Sequence, residues 1–167
     1  LGADTYLVDD AGDVVTATSA LATEIDTVKT TESYVLGANL ENFTLLGAAD
    51  LDGTGNALKN LILGNDGANE LDGDAGADTL KGGKGDDTYR VDVVKSGTVA
   101  ILLAVVTENL NEGTDTLILR TTVDLALAEI DAFVELLGQD HRLLARIAEL
   151  LEAFLLQRAG DERRGRL

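Results

Sequence analysis

Large apolar side chains recur every nine residues in the centre of the chain. Four consecutive nonapeptides, over residues 55–90, read GNALKNLIL, GNDGANELD, GDAGADTLK and GGKGDDTYR. Their eighth positions hold Ile62, Leu71, Leu80 and Tyr89. A nine-residue period is not helical, and the glycines would destabilise a helix. The pattern therefore predicts units made of a six-residue turn and a three-residue strand with one inward side chain.

The polar positions of these units are equally regular. The last three units carry Gly at positions 1 and 4, whereas the first unit is degenerate. Position 6 is always Asn or Asp, in Asn60, Asn69, Asp78 and Asp87. Stacked units would pair their strands and bring these turns together, where carboxylates repel one another unless a cation lies between them. A hard cation with many oxygen ligands in flexible geometry favours Ca²⁺ over Mg²⁺.

A longer repeat overlies the short one. "GADTYLVD" at 2–9 matches "GDDTYRVD" at 85–92, and "EIDTVKTT" at 24–31 resembles "GTDTLILRTT" at 113–122. A weaker similarity links "LENFTLLG" at 40–47 to "IDAFVELLG" at 130–138. The chain is therefore predicted to hold about one and a half copies of a large unit. Because its first residues read like the middle of a motif, we expect it to be part of a longer protein.

The composition changes at about residue 123, where glycine becomes rare and Leu, Ala, Glu and Arg dominate. Apolar residues at helical spacing predict an amphipathic helix over 140–158 with Asp140 as its N-cap. Residues 123–137 are ambiguous, because the long repeat indicates strands while their composition favours a helix. We predict a solenoid over 1–122, a helical segment over 123–158 and a disordered tail over 159–167. We expect the helix to cap the solenoid, with dimerisation or surface adsorption as the alternative.

Charge and composition exclude several classes of partner and site. The formal net charge of -17 argues against nucleic acid and against an anionic membrane surface. The chain has no Cys, which excludes disulfides and thiolate metal sites. His141 is the only histidine, is interpreted as a helix-surface residue, and brings no nucleophilic constellation with it. No apolar run reaches 18 residues, so we expect no membrane span.

The units GDAGADTLK and GGKGDDTYR resemble the nonapeptide of the RTX (repeats-in-toxin), hemolysin-type calcium-binding family. The flanking segments "DTYLVD", "IDTVKTTESYVLGANLENFTLLG" and "GTGNALKNLILGN" are also similar to linking segments of that family. The resemblance implies a mainly β protein with a parallel β-roll, or β-solenoid. Two nonapeptides would form one coil, and Ca²⁺ would lie between turns that face the same way.

The resemblance also implies a set of calcium ligands. One turn would supply Gly82, Gly83, Gly85 and Asp87. Its like-facing neighbour would supply Gly64, Asp66, Gly67 and Asn69, and a turn on the other edge would supply Gly73, Asp74, Gly76 and Asp78. Position 6 is a neutral Asn69 in one of these turns, so we expect one or two weak sites. Asp4 occupies the same motif position as Asp87, but its partner turn is incomplete. A ligand role for Asp4 is therefore the less favoured interpretation.

These observations predict a non-catalytic calcium-binding module of a secreted bacterial protein. The family resemblance implies type I secretion of an unfolded chain and folding on Ca²⁺ outside the cell. The alternatives are a fragment of a β-solenoid polysaccharide-active enzyme, or a structural spacer in an adhesin or surface layer. We expect no enzymatic activity, because the chain offers no Tyr/His/Lys cluster for such chemistry.

Overall fold

The computed structural model describes residues 2–18, 24–96, 99–109 and 112–121. The described residues form short strands and no helix, and hence none that could cross a membrane. The strands are β1 Thr5–Val8, β2 Thr27–Thr30, β3 Tyr34–Val35, β4 Asn42–Leu45, β5 Asp52–Thr54, β6 Leu61–Leu63, β7 Glu70–Asp72, β8 Asp78–Lys81, β9 Thr88–Ser96, β10 Val99–Leu102, β11 Ala104–Val106 and β12 Thr116–Thr121.

The strands form two sheets that the chain visits in turn. The first sheet has the order β1-β2-β4-β6-β8-β11, and every pair in it is parallel. The second has the order β10-β9-β7-β5-β3, with β12 also pairing with β9. Its pairs are parallel except β10 with β9. This alternation produces a parallel β-solenoid, which confirms the mainly β, solenoid part of the predicted fold class.

Strand register shows that one coil contains two nonapeptides. Leu80 is the partner of Ile62 in the first sheet, and Tyr89 is the partner of Leu71 in the second. All four of these side chains are 0% exposed. Burying a large apolar side chain contributes roughly 1.5–3 kcal/mol, and a single unit has no surface against which to bury it. The degenerate first unit still forms a turn and the strand β6, so it completes a coil with its neighbour.

The core continues in the coil that precedes the nonapeptides, where a large residue faces a small one. Phe43 on β4 is fully buried and occupies the space beside Gly53 on β5. A Cβ atom on Gly53 would overlap the Phe43 ring. Gly53 lies in register with Leu71, so the aromatic ring fills the place that a side chain from β5 would take. The core is therefore continuous although the residue volumes change from coil to coil.

A last coil without nonapeptides follows the repeats. β11 pairs with β8 and β12 pairs with β9, so each sheet gains one parallel strand beyond residue 90. The hairpin partner β10 returns along β9 before β11 begins. The stacked positions of this coil are consequently 26 residues apart in the first sheet, as in Leu80 and Val106, and 28 apart in the second, as in Asp87 and Asp115, rather than 18.

The longer repeat corresponds to the same contact made twice. The backbone N–H of Asp4 donates to Asp26 Oδ1 at 2.8 Å, and that of Asp87 donates to Asp115 Oδ1 at 2.9 Å. Both pairs were aligned by the sequence repeat. The third predicted match, at 130–138, the helical segment over 123–158 and the tail over 159–167 lie outside the described residues. The division of the chain after residue 122 stays a prediction.

Candidate metal sites in the stacked turns

The turns of successive coils stack into a row along each edge of the solenoid. On one edge, the backbone N–H of Asn69 donates to Asp87 Oδ1 at 2.7 Å. On the other edge, the backbone N–H of Asn60 donates to Asp78 Oδ1 at 2.9 Å. The predicted ligands of turns 64–69 and 82–87 are thus brought together, and those of turn 73–78 lie on the opposite edge. There they stack on turn 55–60.

Backbone carbonyl oxygens line the space between stacked turns. Gly83 lies over the carbonyl oxygen of Asn65, and Gly85 lies over that of Gly67. Their φ angles, 99° and 110°, fall in the left-handed region, where glycine is the favoured residue. A Cβ atom on either glycine would also overlap the carbonyl oxygen beneath it. Glycine at these two positions therefore allows the turns to approach closely and to present oxygen atoms to each other.

The acidic turns contain buried carboxylate oxygens without a hydrogen-bond partner. Asp78 and Asp87 are each 1% exposed, and Oδ2 of each is unpaired within the described part of the chain. Burial raises the pKa of both carboxyl groups to about 6, and nearby acids add to the effect. A buried charged oxygen that lacks a partner is costly, so each site requires a proton or a cation.

The comparison with known families agrees with this geometry. The model of the RTX calcium-binding nonapeptide repeat matches residues 54–89 in four copies. Residues 54–89 are RTX repeats. Repeats of this family bind calcium ions and are typically found in secreted bacterial proteins. Neither a characterised protein nor a solved structure matches the chain.

The RTX match covers 36 of the 167 residues and includes the unit that we expected to be degenerate. In that unit, Asn56 and Asn60 form a turn that differs from the acidic turns. The backbone N–H of Asn56 donates to Asn60 Oδ1 at 2.8 Å. In the next unit the backbone N–H of Asn65 donates to Asn69 Oδ1 at 2.9 Å. Both turns are thus closed by an amide oxygen within the same turn.

The amide nitrogens of the asparagine turns bind the carbonyls of the preceding coil. Asn65 Nδ2 donates to the carbonyl oxygens of Leu46 and Ala49, at 3.2 and 3.0 Å. Asn56 Nδ2 donates to those of Gly37 and Leu40, both at 2.8 Å. An NH₂ group therefore stands where stacked carbonyls would otherwise face a cation. The interface below turns 55–60 and 64–69 is satisfied by the protein alone.

The RTX turns that fit calcium are accordingly those stacked above the asparagine turns. Hard carboxylate and carbonyl oxygens are the ligands that Ca²⁺ prefers. Asp78 and Asp87 supply the unpaired carboxylate oxygens, and the surrounding backbone supplies carbonyls. These two aspartates are the residues that would hold the ion. Bound Ca²⁺ would supply the positive charge that the buried oxygens lack.

Three predicted positions have carboxylates that lie away from the buried rows. Asp66 is exposed and pairs with Lys84 Nζ at 2.7 Å, on the outside of the stacked turns. Asp74 is exposed, and its backbone N–H donates to Asp72 Oδ1 at 2.9 Å. Asp4 is also exposed at the first coil. The ligand roles predicted for the twelve RTX residues stay predictions, but these side chains do not enter the buried rows.

Two acidic residues beyond the repeats were not predicted as site residues. Among the described residues, carboxylate oxygens of Asp87, Glu108 and Asp115 lie within 4.8 Å of one another. Burial, then the charges of Asp115 and Asp87, raise the pKa of Glu108 to about 8. Asp115 was recognisable from the Asp-Thr pair that residues 26–27 and 115–116 share within the longer repeat. Glu108 carried no signal, because it belongs to no repeat.

Proposed function

We propose that the described β-solenoid is a non-catalytic calcium-binding module that folds when Ca²⁺ binds. The observation that carries the proposal is the pair of unpaired, buried Oδ2 atoms of Asp78 and Asp87 in the acidic RTX turns. The family match supports calcium as the ion. The proposal assigns the module no catalytic residue.

Coupling between binding and folding follows from the position of these oxygens. In the unfolded chain every carboxylate is solvated, and the net charge of -17 favours an expanded state. Folding moves Asp78 and Asp87 into buried rows, where their charge is unfavourable without a cation. A ligand set that exists only in the folded state makes the binding free energy part of the folding free energy.

We also propose that the module belongs to a secreted bacterial protein exported by type I secretion. The family match, the acidic charge and the absence of Cys support this assignment. A chain that needs Ca²⁺ to fold would remain unfolded where free calcium is scarce and fold where it is abundant. This would keep the chain competent for export until it leaves the cell.

The segment 140–158 is proposed to cap the end of the solenoid or to mediate self-association. Among the described residues β11 ends the first sheet and β12 lies at an edge of the second, and open edges promote aggregation. A chain truncated before Asp140 should aggregate at concentrations where the full chain is soluble. Light scattering of both chains in saturating Ca²⁺ measures the difference, and a soluble, monomeric truncated chain would contradict the proposed cap.

The test of the calcium proposal is a Ca²⁺ titration followed by far-ultraviolet circular dichroism, with reversal by chelator. The β signal should appear with Ca²⁺ and disappear with chelator. The Asp78→Asn and Asp87→Asn double variant should require at least about tenfold more Ca²⁺, which corresponds to about 1.4 kcal/mol. Asp66→Asn makes the same charge change at an exposed side chain and should titrate like the wild type. A spectrum that is identical in millimolar Ca²⁺ and in excess chelator would rule out the proposal.

A further inference from the structure

Strand register places Glu108 at the start of a third stacked turn. Val106 on β11 is the partner of Leu80, and the backbone N–H of Thr107 donates to the Leu80 carbonyl oxygen at 2.9 Å. Glu108 follows Val106 by the two residues that separate Gly82 from Leu80. The backbone N–H of Gly82 donates to Glu108 Oε1 at 3.2 Å. A glutamate thus occupies the place that glycine takes in the RTX turns.

The third stacked turn ends in Asp115, which lies where position 6 lies in the RTX turns. The backbone N–H of Gly85 donates to the carbonyl oxygen of Glu112 at 2.7 Å. The backbone N–H of Asp87 donates to Asp115 Oδ1 at 2.9 Å, as that of Asn69 donates to Asp87. Although this segment is longer than an RTX turn, its last residues continue the row of turns along the same edge.

The unpaired oxygen of Asp87 faces this third turn. Asp87 Oδ1 accepts its hydrogen bond from the preceding coil, and Oδ2 lies over Gly82. In the turn of the preceding coil, the corresponding Asn69 Oδ1 lies beside Gly64. The Gly82 carbonyl oxygen of the next coil lies beside the same glycine. Asp87 Oδ2 therefore points to the side on which the next coil stacks. On that side lies Glu108 Oε2, which is also buried and unpaired within the described residues.

We propose that the carboxylates of Asp87, Glu108 and Asp115 bind a divalent cation, with Ca²⁺ as the ion, beyond the end of the nonapeptide array. Their carboxylate oxygens already lie within 4.8 Å of one another, and two of these residues are outside the family match. Three carboxylates and neighbouring carbonyls form an oxygen-rich set of flexible geometry, which suits Ca²⁺ better than Mg²⁺. The inference rests on the proposed function and extends it to a site in which the side chain of Glu108 lies where the RTX turns have a glycine.

The opposite edge gives the contrast. Asp78 also has a buried, unpaired Oδ2, but the register partner of Asp78 in the next coil is Ala104. Among the described residues no comparable group of three acids forms around Asp78. The site with three carboxylates is therefore expected on one edge only.

Equilibrium dialysis with ⁴⁵Ca²⁺ tests the proposal by counting the ions bound per chain. Glu108→Gln and Asp115→Asn should each bind one ion fewer than the wild type at saturation, while circular dichroism shows the same β signal in excess Ca²⁺. Glu112→Gln removes the same charge nearby and keeps the acceptor for Asn109, so it should bind the wild-type number. If the wild type binds Ca²⁺ and both cluster variants bind as many ions with the same affinity, the third-turn site is wrong. If the wild type binds no Ca²⁺, the proposed function fails as well.

A measurement on the unmodified chain covers the case in which the variants do not fold. Trace Mn²⁺ added to the Ca²⁺-loaded wild type should broaden the ¹³C carboxyl resonances of Glu108 and Asp115. Glu70 lies on a strand and pairs with Arg90, so its carboxyl resonance should stay sharp. A Glu108 resonance as sharp as that of Glu70 at all Mn²⁺ additions would overturn the proposal.

Discussion

The backbone N–H of Asp87 donates a hydrogen bond to the Asp115 carboxylate at 2.9 Å, across 28 residues of sequence. Asn69 makes the same contact to Asp87 across 18 residues, and Asp4 makes it to Asp26 across 22. The contact therefore persists where the nonapeptide spacing does not. Strand register keeps these residues stacked in a row on each edge, and insertions between the strands leave both rows unchanged.

The metal-free protein should lose stability as the pH rises from 5 to 8. Burial raises the pKa of Asp78 and Asp87 to about 6 and that of Glu108 to about 8, from ordinary values near 4. The folded state then binds more protons than the unfolded state in this range. The resulting stability is complete below about pH 4 and is lost as the pH rises through 6 and then 8.

Far-ultraviolet circular dichroism in excess chelator between pH 5 and pH 8 measures this dependence as the fraction of the chain that keeps its β signal. Glu108→Gln should lose the upper part of the decline, near pH 8, and keep the part near pH 6. Saturating Ca²⁺ should reverse the trend, because a cation binds the deprotonated carboxylates. A β signal that grows from pH 5 to pH 8 in chelator would show that the buried acids do not control stability.

Arg120 should stabilise the last coil measurably. Its guanidinium pairs with both carboxylate oxygens of Asp72 at 2.7 Å, and its Nε donates to Asp92 at 2.8 Å. It thereby links β12 to β7 and β9. Because lysine cannot reproduce the two-pronged contact, Arg120→Lys should lower the free energy of unfolding by about 1–2 kcal/mol.

Urea unfolding in saturating Ca²⁺ checks the prediction for Arg120. Lys84→Ala removes the exposed pair with Asp66, whose two side chains are 65% and 56% exposed, and should cost less than about 1 kcal/mol. Equal effects of the two substitutions would mean that the bidentate geometry adds nothing.

Gly53→Leu should destabilise the protein although it matches the repeat pattern. Leu71 occupies the register position of Gly53 in the next coil, so the pattern alone favours a large residue. The Phe43 ring already fills the space, and overpacking costs about 1–3 kcal/mol.

The double variant with Phe43→Ala should recover much of the loss in thermal unfolding, because it vacates the space. The exposed substitution Val35→Leu serves as the control and should have little effect. A more stable Gly53→Leu single variant would contradict the assigned packing.

Asn65→Asp should destabilise the protein even in saturating calcium. The substitution replaces an amide that donates to two carbonyl oxygens by a carboxylate that repels them. Each buried group left unpaired costs about 1–3 kcal/mol. Asp66→Asn, the next residue, is exposed and should change the free energy of unfolding by less than about 1 kcal/mol. Equal urea midpoints for the wild type and Asn65→Asp would refute the role given to the amide.

Much of the repeat geometry was predictable because it depends on local properties. Glycine at fixed positions allows tight turns, and a three-residue strand points one side chain inward whatever its neighbours are. Ile62 and Tyr89 were therefore assigned to the core correctly. The pairing of like-facing turns followed from the same count, since two nonapeptides return the chain to the same sheet.

The sequence by itself thus determined the solenoid, its two rows of turns and the calcium-binding family of residues 54–89. Only the tertiary structure decided which turns leave a carboxylate oxygen unpaired and which are closed by asparagine. It also decided that Glu108 and Asp115 join Asp87. The physical reason is that these contacts depend on which residues stack across coils. Strand register sets that stacking, and the spacing along the chain varies from 15 to 28 residues.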